Sequence, residues 1–202
     1  VSSQTGSGKT LAFGLALAPL LFEGDRFLGA ANRARPRVIV VAPTRELALQ
    51  VARELGWLYA GARARVATCV GGMDIRREQR ALHDGAHIVV GTPGRLCDHL
   101  ARAALDLSQL AVVVLDEADE MLDMGFQEDL EKILDAAPGE RRTLMFSATI
   151  PREIEALARK YTKDAHRVRA NAAESHADIE YLAHAVAPQE REHAVVNVLR
   201  FH

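Results

Sequence analysis

Ala111-Val-Val-Val-Leu-Asp116-Glu-Ala-Asp119 decides the fold class. Its five apolar residues, three of them valine, are too few for a buried helix, and branched side chains suit a strand covered on both faces. The same signature recurs at Arg37-Val-Ile-Val-Val-Ala42, Arg65-Val-Ala-Thr-Cys-Val70, His87-Ile-Val-Val-Gly91 and Thr143-Leu-Met-Phe-Ser147. Between the runs the spacing turns helical. Leu47, Val51, Leu55 and Leu58 fall on one side of a helix over Glu46 to Tyr59, and Leu130, Ile133 and Leu134 on one side of a helix over Phe126 to Leu134. Apolar strands alternating with helices predict an α/β domain, a largely parallel sheet with helices on both faces.

In such sheets ligands bind beyond the carboxyl ends of the strands. Polar residues gather there: Pro43-Thr-Arg-Glu46, Gly71-Gly72, Thr92-Pro-Gly-Arg95, Asp116-Glu117 and Ser147-Ala-Thr149. One edge of the sheet is therefore expected to carry the chemistry. Met121 and Met124 are expected in the core, and Trp57 packing its helix.

Composition narrows the classes. Among 202 residues, 25 Lys and Arg stand against 27 Asp and Glu, a formal net charge of −2. That excludes a uniformly basic nucleic-acid binder while leaving room for a local basic patch. At 49% hydrophobic and 26% charged the chain is no disordered or collagen-like sequence. Cys69 and Cys97 have no pairing or zinc spacing, so a reducing, cytoplasmic setting is expected. The longest apolar run, Leu11 to Phe22, is too short to span a bilayer, so no membrane partner is expected.

Ser3-Gln-Thr-Gly-Ser-Gly-Lys-Thr10 ahead of an apolar helix has the make-up of a phosphate-binding loop. Its glycines free backbone N–H groups to surround phosphate oxygens, Lys9 adds a point charge, and Thr10 a hydroxyl for Mg²⁺. Asp116 leaves its strand where an acid can reach that metal, and Glu117 can orient or deprotonate an attacking water. The bland alternatives are a chance turn at the loop and helix capping by the acids. Likewise Pro43 and Pro93 can be ordinary first-turn prolines, Gly71-Gly72 an ordinary turn, and Ser147 and Thr149 strand-end hydroxyls. The histidines show no metal-ligand spacing.

In order, Gln4-Thr-Gly-Ser-Gly-Lys-Thr10, Pro43-Thr-Arg-Glu-Leu47, Gly71-Gly72, Thr92-Pro-Gly-Arg95, Val114-Leu-Asp-Glu-Ala-Asp119 with Met124-Gly-Phe126, and Ser147-Ala-Thr149 resemble the amino-terminal RecA-like, P-loop domain of a DEAD-box RNA helicase. The resemblance covers residues 1–170; 171–202 are similar to an interdomain linker and the start of a second RecA-like domain. It implies that Thr5, Gly6, Ser7, Gly8, Lys9, Thr10, Asp116 and Glu117 bind Mg-ATP, with Thr10 and Asp116 on the metal and Lys9, Asp116 and Glu117 catalytic. It places Pro43, Thr44, Arg45, Gly72, Thr92, Gly94 and Arg95 on the sugar-phosphate backbone of RNA. It makes Asp119, Ser147 and Thr149 the link between hydrolysis and domain closure. The implied partners are RNA, bound without base reading, and the second RecA-like domain, in a monomer.

Against that pattern, Ser3 stands where glycine is usual, and the strand feeding the loop, the adenine-recognising segment and the second domain's arginines are not within these residues. A longer natural protein is therefore expected, and little turnover from the 202 residues alone. A DNA-translocating helicase, another P-loop enzyme such as a nucleotide kinase, and a non-enzymatic RNA-binding module are the competing classes.

Overall fold

The computed structural model describes residues 8–23, 26–27, 35–168 and 186–201. The chain forms two compact units, Val1–Asn171 and Ala172–His202. The first is built on a five-stranded sheet of β3 (Val38–Val41), β4 (Val66–Cys69), β5 (Ile88–Gly91), β6 (Val112–Leu115) and β7 (Arg142–Met145), in the order β4-β5-β3-β6-β7. A short antiparallel pair, β1 (Phe22–Glu23) with β2 (Arg26–Phe27), precedes it. All four pairings in the main sheet are parallel, and their registers align: Val41 lies beside Gly91 and Leu115, Cys69 beside Gly91, and Leu115 beside Met145. All five strands therefore finish at one edge. Four of them fall inside the predicted runs, trimmed at the ends where the connecting turns take over, and β7 is shifted, starting one residue earlier than Thr143 and ending two before Ser147.

Helices α1 (Lys9–Leu21), α2 (Arg45–Leu58), α3 (Ile75–His83), α4 (Pro93–Ala101), α5 (Ala118–Asp123), α6 (Gln127–Ala136) and α7 (Arg152–Tyr161) alternate with the strands. Because successive strand side chains point to opposite faces, each strand feeds two cores. Val38, Val40, Val90, Val112 and Val114 pack with Phe13, Leu17 and Leu21 of α1 and Val51 and Leu55 of α2. Ile39, Val41, Val89, Val113 and Leu115 pack with Leu82, Leu96, Met121, Leu130, Ile133, Ile154 and Leu157 from the later helices. The inner strands β3, β5 and β6 are buried throughout, whereas edge strand β4 alternates and β7 is partly exposed.

Two expected core residues lie outside. Trp57 is 72% exposed and Met124 47% exposed. The buried stripe of α2 runs through Ala48, Val51, Ala52 and Leu55, and Trp57 sits two residues past Leu55, on the opposite side of the helix. Met124 lies one residue beyond α5, while Met121 is fully buried. In the second unit the described residues form α8 (Arg191–Phe201). Most of the stretch that resembles an interdomain linker, residues 171–185, lies outside the described residues.

Candidate functional site

The edge where the strands end holds two groups of side chains. The first begins at Gly8, which precedes α1 with φ +77°, a left-handed conformation open to glycine. Among the described residues no side chain caps α1 and no acid stands in its first turn, so its first N–H groups carry positive helix-end potential. Lys9 Nζ lies 3.4 Å from Glu117 Oε1 and 3.7 Å from Asp116 Oδ1. Residues more than a hundred positions apart thus meet, and Thr10 is buried beside Lys9. Thr5, Gly6 and Ser7 lie outside the described residues.

Asp116 is 1% exposed, and among the described residues its Oδ1 has no hydrogen-bond partner. Burial pushes its carboxyl above the usual range; Lys9 pulls it down and Glu117 pushes it up. A buried carboxylate oxygen with a cation near but no donor upon it fits an oxygen-seeking metal ion. Glu117 is held at φ +52°, ψ +54°, a region that costs a non-glycine residue about 1–3 kcal/mol and recurs where function requires a particular side-chain direction.

A second set of bonds leads from the acids to the next strand end. Ala118 N–H donates to the Phe146 carbonyl at 2.9 Å, and Asp119 N–H to Ser147 Oγ at 3.2 Å. The Asp119 carboxylate accepts from both the N–H and the hydroxyl of Thr149, each at 2.8 Å. Burial raises the Asp119 carboxyl, but the bonds from Thr149 and Ser147 outweigh it and hold the group below the ordinary carboxylate value.

The other group lies at the ends of β3, β4 and β5. Pro43 is buried and precedes the cap instead of opening the helix; Thr44 caps α2, accepting from Leu47 N–H at 3.3 Å, and Arg45 is exposed. Gly72 has φ +75° and passes so close to Arg45 that a Cβ would lie 3.1 Å from its Nη1. Pro93 does open α4, preceded by Thr92, whose side chain makes no cap bond, with Gly94 exposed. Arg95 turns inward: its side chain is 14% exposed, with Nη1 3.3 Å from Glu78 Oε2 and Nη2 donating to the Met73 carbonyl at 3.3 Å.

Glu78 is the residue that sequence reasoning missed. It is 4% exposed, its Oε1 accepts from Val70 N–H at 2.9 Å, and its Oε2 lies 2.7 Å from His99 Nε2. Cys69 adjoins the same carboxylate and imidazole. Burial, then the Glu78 charge, raise the Cys69 thiol, with Arg95 partly opposing, and burial and Asp129 raise Cys97 to about 11. Neither is a ready thiolate. Both oxygens of Glu78 already have donors within the fold, so the cluster works as a brace between β4, α3 and α4. The signal for it was a lone acid at the centre of α3's inward stripe.

The family model described as DEAD/DEAH box helicase matches residues 1–157. The chain belongs to the DEAD/DEAH box helicase family. Among curated relatives, the DEAD-box ATP-dependent RNA helicase CshA of Bacillus licheniformis is 47% identical over 174 residues, covering 85% of this chain and 34% of that protein. Its counterpart in Geobacillus kaustophilus is 46% identical over 172 residues, covering 85% and 35%. The chain thus spans about a third of the length of these DEAD-box relatives. Among solved structures, a DEAD box protein from Methanococcus jannaschii aligns with TM-score 0.73 and 42% identity, covering 98% of this chain and 51% of that one. The yeast DEAD-box splicing factor Prp28 aligns with TM-score 0.74 and 33% identity, covering 80% and 39%. These neighbours agree with a RecA-like α/β domain. Among the described residues no helix is long and apolar enough to cross a membrane.

Proposed function

We propose that this chain is the nucleotide-hydrolysing lobe of an ATP-dependent RNA helicase, acting with a second RecA-like lobe. The observation that carries the reading is the meeting of Lys9, Asp116 and Glu117 around a buried carboxylate oxygen that has no donor among the described residues. Bound Mg-ATP supplies the phosphoanhydride to be cleaved and a metal charge that neutralises its oxygens. The backbone N–H groups at the start of α1 and the Lys9 ammonium bind phosphate oxygens. Thr10 and Asp116 hold the metal. Glu117, aimed by its left-handed backbone, accepts the proton of the attacking water.

RNA lies across the ends of β3, β4 and β5, where Thr44, Arg45, Gly72, Thr92 and Gly94 present hydroxyls, N–H groups and the exposed Arg45 guanidinium. Pro43 sets the entry to α2. Arg95 acts from within, holding the Thr92 turn against Glu78. None of these groups reads a base edge, so binding is indifferent to sequence. The bonds from Asp119 to Ser147 and Thr149 make the Ser147 loop respond to the acids, which is how hydrolysis and closure of the two lobes would be coupled.

The test is ATP hydrolysis by the protein, extended to the length of its relatives, with and without single-stranded RNA and beside Glu117→Gln. Strong stimulation by RNA, lost in Glu117→Gln while nucleotide binding persists, is expected. Hydrolysis indifferent to RNA overturns the choice of substrate.

A further inference from the structure

Helix α3 has two different sides. Inward, Glu78 bonds to Val70, Arg95 and His99, and Leu82 is buried in the core. Outward stand Arg76, Arg77, Arg80 and His83, all exposed. The helix's one acid is thus used up inside the fold. Asp74 accepts the backbone N–H of Arg76 as the helix cap, and Asp84 lies 3.9 Å from His83. Among the described residues no carboxylate comes within ion-pair distance of Arg76, Arg77 or Arg80, whereas Arg35, Arg95, Arg102, Arg159 and Arg167 each have a partner. In a chain of net charge −2 this is a local concentration of uncompensated positive charge.

Its position gives it a partner. Arg76, Arg80 and His83 recur at helical spacing along one side, with Arg77 beside them, a strip of roughly 10 Å at 1.5 Å per residue. The strip starts a few residues beyond Gly72, so it continues the surface assigned above to RNA. We propose that the outer side of α3 binds the sugar-phosphate backbone of RNA flanking the segment held at Gly72 and Thr92, adding about three phosphate contacts and no base reading. This rests on the RNA reading of the site.

The test is anisotropy of a labelled 20-nucleotide oligouridine, at salt concentrations from 50 to 200 mM, with the parent protein, the triple variant Arg76→Gln, Arg77→Gln, Arg80→Gln, and the matching triple lysine variant. Each phosphate contact to a single strand adds about 0.7 to the salt slope. The parent should therefore lose about 18-fold more affinity than the glutamine variant over this fourfold rise in salt, and the lysine variant should behave as the parent. A 6-nucleotide oligouridine, too short to reach both surfaces, should bind parent and glutamine variant alike. Equal affinities and slopes on the 20-mer overturn the proposal while leaving the RNA reading intact. A parent that binds neither oligonucleotide at 50 mM salt overturns both.

Discussion

Asp116 and Glu117 illustrate two ways of storing free energy at a site. Asp116 is a carboxylate that burial disfavours in its charged form. A group raised in this way favours the fold fully only below its unfolded value, and that contribution is lost as pH rises through the higher folded value. Asp116→Asn should therefore melt about 2–4 °C above the parent at neutral pH, corresponding to roughly 1 kcal/mol, with the gap closing in acid; thermal denaturation across pH measures it. The same variant should lose Mg²⁺-dependent nucleotide binding. At position 117 the cost is in the backbone, at φ +52°. Glu117→Asn and Glu117→Val should both abolish hydrolysis, but only valine, whose branched Cβ is excluded from that region, should lower the melting temperature, by about 3–6 °C relative to Glu117→Gln. The sequence makes both acids legible as site residues, since each follows an apolar strand. It is silent on the left-handed backbone, because nothing local demands it.

Among the elements, the strands and α3 teach opposite lessons. β3, β5 and β6 are readable because uninterrupted β-branched runs have few other uses. α3 is not, because its inward stripe is Ile75, Glu78 and Leu82, and the acid at its centre breaks the apolar period on which helices are recognised. Trp57 fails for the converse reason: an aromatic residue was expected to pack, but its phase on α2 faces water. Glu78→Leu removes the brace and leaves the half-buried Arg95 without its carboxylate. Breaking a buried pair on one side costs about 3 kcal/mol, so the melting temperature should fall by roughly 6–12 °C. Glu78→Gln, whose single amide oxygen can still accept from Val70 N–H while its NH2 faces His99 and Arg95, should lose less than the leucine variant.

For the whole first unit, parallel pairing is what matters. It brings the ends of five strands to one edge, so that groups scattered from Gly8 to Thr149 share a surface. The order of the strands could not be read from the sequence, because β3, β5 and β6 are equally apolar and any of them could lie at the centre. The Thr149 hydroxyl donates to the Asp119 carboxylate and so joins the acids to the β7 end. Thr149→Val should leave ATP affinity within about twofold yet cut RNA stimulation of hydrolysis about tenfold, the effect of losing one hydrogen bond to a charged group, as steady-state kinetics would show. The sole indole of the chain, at Trp57, stands in water on the outer side of α2. Its emission should already be that of a solvated fluorophore, open to collisional quenchers and little altered by melting, whereas the far-ultraviolet ellipticity of the helices should report the loss of structure directly.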